Sequence, residues 1–331
     1  MQIEETLLLS RGDVEKLLTL TECIEAVENV FRWQGEGKIP VPGILGVKSR
    51  RGGLHVKAGF LPGDPGYIVA KLNANFPENG ATFGLPTIQG VVVVFNANSG
   101  AIVGIFDSMA ITIMRTAAAS AVAAKYLARE SSRVATICGC GRQAAAQLRA
   151  LCSVVPLEKI FAFDLDADVA RNFAAALSME CKINPVRDLS EAIGQSDVVV
   201  TCTPSHQFFV RREEVKTGTF IAAVGADAEE KQEIDPALMA SAKVVVDSVD
   251  QVCAIGDSHH AIAAGLMERG NIYAELSEIV AGRKPGRTQA DEIIVFDSTG
   301  VAIEDAIAAA TVYEKAMAGT IGNRFSFAAR Q

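Results

Sequence analysis

Positive charge is scarce in this sequence: 31 Lys and Arg stand against 39 Asp and Glu, for a formal charge of −8. Phosphate-rich polymers are bound by concentrated Lys and Arg, so the deficit excludes a broad nucleic-acid surface. A local basic cluster can still hold one carboxylate or phosphate. Paired cysteine motifs are absent too. The seven cysteines are an odd number set mostly in apolar stretches, and Cys138 and Cys140 flank one glycine with no His nearby. They read as reduced, buried thiols, and no metal site is expected. Of the four histidines, His206, His259 and His260 sit at polar junctions without ligand spacing and suit surface or capping roles. The most apolar long stretch, 111–128, contains Arg115 and Lys125, so it reads as a buried helix and not a membrane span. The opening Met1-Gln2-Ile3-Glu4-Glu5 has neither the basic start nor the apolar core of a signal peptide, which points to the cytoplasm.

What the chain does contain is enough apolar sequence for a large core. Apolar residues make up 49% and charged residues 21% of 331 positions, a well-packed balance at a length that fits two domains. Residues 13–34 place Val14, Leu17, Leu18, Ile24, Val27, Val30 and Phe31 at helical spacing, closed by Gly35 and Gly37. The stretches 54–60, 67–73, 88–95 and 101–106 are β-like, with Asn96-Ala97-Asn98-Ser99-Gly100 as a hairpin connection. This first region reads as α+β with a mainly antiparallel sheet. Beyond the Ala-rich helix, apolar strands at 134–138, 160–164, 197–201, 220–224, 244–247 and 293–296 are separated by longer connections, several of them helical. Strands apolar throughout and alternating with helices predict a parallel sheet covered on both faces. The expected fold class is therefore α/β, a doubly wound parallel sheet of Rossmann type joined to an α+β domain. A last helix is expected over 303–317.

The strand at 134–138 runs into Gly139-Cys140-Gly141-Arg142-Gln143-Ala144, a GxGxxA pattern opening a helix. Gly139 permits the tight turn, Gly141 lets the backbone approach a pyrophosphate, and Ala144 lets the helix pack close. The helix N-terminus then offers N–H groups and a positive dipole end to phosphate. The second strand ends at Asp164, 25 positions beyond Gly139, near where an acidic residue meets ribose hydroxyls. Leu165 follows, with no adjacent cation for a 2′-phosphate, so NAD is expected rather than NADP. The lesser alternative for Asp164 is a solvated strand-end carboxylate. Thr201 and Thr203 fall at the carboxyl end of the third strand and either line the cofactor or mark an ordinary strand-to-loop transition.

Three charged residues sit in apolar surroundings. Lys71 lies in Ile68-Val69-Ala70-Lys71-Leu72-Asn73, Arg115 in Ile113-Met114-Arg115-Thr116-Ala117, and Asp227 follows a strand through Gly225-Ala226. Buried cations need partners, and an amino-acid carboxylate is one; a structural ion pair is the other. For Asp227 that pair would be with Lys231.

These residues, with Gly84-Leu85-Pro86-Thr87, Met114-Arg115-Thr116-Ala117-Ala118-Ala119-Ser120, Gly139-Cys140-Gly141-Arg142-Gln143, Val224-Gly225-Ala226-Asp227, Phe296-Asp297-Ser298-Thr299-Gly300 and Ile303-Glu304-Asp305, carry a resemblance. The chain resembles the ornithine cyclodeaminase/mu-crystallin family from about residue 5 to 320. The resemblance implies that Lys71 and Arg115 hold a substrate carboxylate and that Asp227 stands near the nicotinamide and the reacting amine. It also implies that Arg142 and Gln143 belong to the cofactor turn with Gly139 and Gly141. The family's further basic residue after a proline near Pro42 is missing here, and Lys57 or His55 stands in as the candidate. Residues 1–114 with 305–331 are implied to form a substrate and dimerisation domain, and 115–304 the Rossmann domain of a homodimer. The activity implied is that of an NAD-dependent ornithine cyclodeaminase acting on a small amino acid. The alternatives are an alanine-type dehydrogenase, a reductase of cyclic imines such as pyrroline-2-carboxylate, and a non-enzymatic binding protein of the mu-crystallin kind.

Overall fold

The computed structural model describes residues 5–40 and 43–327. Pro42 and the first four residues, on which two of the expectations above rest, lie outside the described residues. The chain forms two compact units, Met1–Arg115 with Val301–Gln331, and Thr116–Gly300. Arg115 and Glu304, assigned from sequence to the second domain, belong to the first unit, where they pair with each other. In chain order the strands of unit 1 are β1 (Thr6–Leu9), β2 (Leu45–Lys48), β3 (Gly53–Leu61), β4 (Tyr67–Asn75), β5 (Ile88–Asn96) and β6 (Ile102–Asp107). Unit 2 contributes β7 (Val134–Cys138), β8 (Lys159–Phe163), β9 (Ile183–Pro185), β10 (Val198–Thr201), β11 (His206–Val210) and β12 (Phe220–Ala223). It continues with β13 (Gln232–Ile234), β14 (Lys243–Val246), β15 (Ala274–Glu275) and β16 (Ile294–Asp297), after which β17 (Asn323–Phe325) returns to unit 1.

The unit 1 sheet runs β17-β1-β6-β5-β4-β3-β2 and is antiparallel except where β1 meets β6. Register puts Lys57 opposite Lys71 and Gly59 opposite Val69, which in turn faces Val94. That face packs on the helix Ala302–Ala318, whose Ala302 and Ala306 lie against Gly59. Side chains alternate along a strand, so Leu45, Phe60, Ile68 and Val91 share the opposite face, where all four are exposed. Two helices, Arg11–Leu17 and Leu20–Gly35, occupy the stretch that showed helical spacing.

Unit 2 holds an eight-stranded sheet, β15-β14-β16-β12-β10-β7-β8-β9, parallel at every pairing. The strands β10, β12 and β16 are buried along their whole length, as strands covered on both faces must be. Strand order reverses between β7 and β10, which is the switch point of a doubly wound sheet. The short strands β9, β11, β13 and β15 were not expected. At two to five residues they are too short to display a period.

Candidate active site

The turn after β7 is shaped by what it excludes. Gly139 has φ +89°, and a Cβ there would stand 2.7 Å from Thr203 Cγ2 and 3.1 Å from the Cys202 carbonyl oxygen. Both the backbone angle and the space therefore require glycine. At Gly141 nothing lies within 4 Å of a Cβ position, so a ligand can come close to the backbone. Ala144 opens the helix Ala144–Cys152 and is fully buried, while Gln143 before it provides no side-chain cap. The N-terminal N–H groups are thus left to other acceptors. Gln143 Oε1 is a buried atom with no hydrogen-bond partner among the described residues. Arg142 is exposed beside it. These features fit a dinucleotide pyrophosphate.

Asp164, one residue past β8, accepts hydrogen bonds from the Cys140 N–H at 2.9 Å and the Asp166 N–H at 3.1 Å. It therefore ties the glycine turn to the end of the second strand. Thr203 also adjoins the turn, through its methyl group. Thr201 does not line a surface: it is fully buried, and its hydroxyl donates to Glu233 Oε2 at 2.6 Å. The Thr203 hydroxyl donates to the same carboxylate at 2.7 Å. Glu233 was missed from sequence because a three-residue strand gives no pattern around it.

In unit 1 the cations are not held apart. Lys71 Nζ lies 2.7 and 2.6 Å from the two Asp305 oxygens. Arg115 donates from Nε to Asp305 at 3.0 Å and from a terminal nitrogen to Glu304 at 2.9 Å. All four side chains are buried. An ion pair is present, with Asp305 bridging both cations. Burial pulls the Lys71 ammonium down to about 7, against the opposing attraction of Asp305 and with a further push from Arg115 and Lys57. Burial drives Asp305 the other way, but Arg115, Lys71 and Lys57 together hold it below its ordinary value. Among these five groups cations outnumber carboxylates three to two. Asn73 Oδ1 and Ser108 Oγ, both bordering Gly90, are buried without a hydrogen-bond partner among the described residues. Glu304 and Asp305 carried the same signal that exposed Arg115, charge inside an Ala-rich helix, and could have been read from it.

Asp227 stands apart from such burial. Its side chain is 50% exposed and accepts from Lys231 at 2.6 Å, the partner anticipated for it. His55 is exposed, Lys57 half-buried. His259 and His260 bind backbone carbonyl groups of Cys253 and Lys231. No helix among the described residues is long and apolar enough to cross a membrane.

Comparison with known proteins adds the following. A sequence model of the ornithine cyclodeaminase/mu-crystallin family matches residues 4–320. The alanine dehydrogenase of Archaeoglobus fulgidus is 34% identical over 326 residues, covering 98% of this chain and 99% of its own. The structure of an archaeal alanine dehydrogenase dimer with bound NAD superposes with a TM-score of 0.94 at 35% identity, covering 98% and 99% of the two chains. The Δ1-pyrroline-2-carboxylate reductase of Thermococcus litoralis, solved with NADH and L-proline, has a TM-score of 0.91 at 36% identity over 96% and 99%.

Proposed function

The chain belongs to the ornithine cyclodeaminase/mu-crystallin family, and from that premise we propose that it is an NAD-dependent oxidoreductase interconverting a small α-amino acid and its 2-imino acid. The observation that carries the reading is the buried network of Lys71, Arg115, Asp305 and Glu304 with Lys57 beside it. Such a network holds two basic groups in fixed orientations inside apolar surroundings, with Lys71 charged below about 7, which is what a substrate carboxylate requires of its site. Full-length similarity to an alanine dehydrogenase and a cyclic-imine reductase supports redox chemistry in preference to the cyclodeaminase activity first expected.

Bound NAD supplies the acceptor for the Cα hydrogen of the amino acid, and NADH the donor in the reverse direction. The protein's own residues do the rest. Lys57, Lys71 and Arg115 hold the carboxylate and so fix which way Cα points. Asp305 and Glu304 hold Lys71 and Arg115 in their orientations. Asp227 takes a proton from the substrate ammonium through a carboxylate oxygen and returns it to the amine in reduction. Gly139, Gly141, Arg142 and Gln143 receive the pyrophosphate, and Asp164 the adenosine ribose; the absence of a cation beside Asp164 favours NAD over NADP. The exposed apolar face of the unit 1 sheet is the surface through which two copies pair, in keeping with the dimeric relative.

A panel of small amino acids and cyclic imines, assayed with both nicotinamide cofactors for absorbance of the reduced form and for ammonia, tests the reading. Stoichiometric NADH from an amino acid, or its consumption with an imine, is expected. Ammonia without net NADH would assign cyclodeaminase chemistry instead, and NADPH used as well as NADH would remove the role given to Asp164.

A further inference from the structure

Glu233 lies in the three-residue strand β13, outside the main sheet of unit 2, and is fully buried. An isolated carboxylate in that position is costly, so what it binds says what it is for. Its Oε2 accepts from the Thr201 hydroxyl at 2.6 Å and the Gly225 N–H at 2.8 Å. Its Oε1 accepts from the Thr203 N–H and the Thr203 hydroxyl, both at 2.7 Å. The donors come from the carboxyl ends of two neighbouring parallel strands, β10 and β12, or just beyond them. That is the edge of a doubly wound sheet where ligands bind.

We propose that Glu233 is a positioning residue of the dinucleotide site, acting through Thr203 and Gly225 on the turn that receives the pyrophosphate. The inference rests on the dinucleotide reading given above. Being fully buried, Glu233 acts at a distance. Its effect passes through Thr203, whose Cγ2 packs over the bare Gly139 Cα, and whose hydroxyl and N–H are both fixed by the same carboxylate oxygen. Gly225 is close enough that a Cβ there would meet the Glu233 carboxylate at 2.5 Å, so the backbone approaches as far as glycine allows. Each carboxylate oxygen receives one backbone N–H, and a backbone N–H cannot turn round to accept. An amide in place of the carboxylate would therefore set N–H against N–H on one side. Behind Glu233 its backbone is pinned in turn: the N–H groups of Glu233 and Ile234 donate to Asp257 Oδ1 at 2.8 and 2.9 Å. Asp257 is itself fully buried.

The test uses the full-length protein and three variants, with thermal midpoint, NADH dissociation constant by fluorescence titration, and separate KM values for NAD and the amino acid. Glu233→Gln is expected to weaken NADH at least tenfold and to raise the KM for NAD. The KM for the amino acid should move by no more than about twofold. Thr203→Val keeps the methyl over Gly139 but loses the hydroxyl bond, and should weaken NADH severalfold; Thr203→Ser keeps the bond and should weaken it less. A lowered midpoint with an unchanged NADH constant would make Glu233 purely structural and overturn the proposal. If Glu233→Gln does not fold, Thr203→Val decides: weaker NADH binding supports the assignment, unchanged binding overturns it. Failure of the unaltered protein to bind NADH would overturn the dinucleotide reading itself, and this assignment with it.

Discussion

At the scale of single residues, charge and burial set the expectations. Lys71 is charged below about 7 and neutral above it, because burial penalises the ammonium. A cation with a depressed value holds a carboxylate best at low pH, so binding should weaken as pH rises through 7. The inhibition constant of an unreactive carboxylate, measured over about pH 6 to 9, should therefore rise, and Lys71→Arg, charged throughout, should remove the dependence. A constant that stays flat in the unaltered protein would exclude Lys71 from the carboxylate site. Arg115→Lys keeps charge but loses the planar fork shared between Glu304 and Asp305. It should lower kcat/KM at least tenfold, about 1.4 kcal/mol; near-normal turnover across the whole panel would take Arg115 out of the site. For Asp227 the half-exposed pair with Lys231 makes a clean experiment possible. Exposed pairs contribute about 0–1 kcal/mol, so Asp227→Asn should leave the thermal midpoint nearly unchanged. Turnover should drop roughly a hundredfold, and a fully active variant ends the catalytic assignment. The glycine turn and Asp164 were legible in the sequence because covalent spacing alone places them. Glu233 was not, because it sits in too short a strand; Glu304 and Asp305 showed as charges in an Ala-rich helix, but their partners lie far off in sequence and left no trace there.

At the scale of elements, legibility followed length. Strands of nine residues such as β3, β4 and β5 show as β-like runs, and the buried strands β7, β10 and β12 show as apolar runs. The pairing of β1 with both β6 and β17 left no such trace, since a parallel neighbour and an antiparallel one demand the same residues of a four-residue strand. Capping is different: Thr19 and Glu22 form a reciprocal cap at the start of Leu20–Gly35. Glu22 also receives Lys315 from the last helix at 2.8 Å on both oxygens. Bonds from Lys315 and Thr19 bring its carboxyl down to about 2 from 4.5. The folded value lies below the unfolded one, so the stabilisation is complete above about 4.5 and is lost as pH falls towards 2. Since Glu22 and Lys315 are each more than a third exposed, solvent screening reduces the ion pair's share. Glu22→Gln keeps an oxygen that can accept the Thr19 N–H. It should therefore cost at most about 1 kcal/mol at neutral pH, from the lost charge beside Lys315 and the helix N-terminus. That deficit should vanish in urea titrations near the acid end. A deficit independent of pH would mean that the carboxylate charge contributes nothing.

At the scale of the whole molecule, the exposed face of the unit 1 sheet departs from a self-contained surface. Leu45 is 62% exposed, Phe60 37%, Ile68 43% and Val91 40%, on the four strands β2, β3, β4 and β5, which pair in that order. Contiguous apolar exposure of this kind marks an association surface. On the pairing proposed above, Ile68→Glu should give a monomer in sedimentation equilibrium where the unaltered protein gives a dimer, with its circular dichroism retained. A variant that stays dimeric would move the interface elsewhere. The charge network has a consequence of a different kind. Asp305 lies 234 positions after Lys71 and 190 after Arg115, with all of unit 2 made in between. During synthesis the cations emerge early, and the carboxylates that offset the cost of burying them emerge only near the end. Unit 2 is continuous in sequence and can close as soon as it leaves the ribosome, as domains generally do. The segment of unit 1 that precedes unit 2 is thus the last to finish folding, and its waiting time is set by how fast the ribosome makes unit 2.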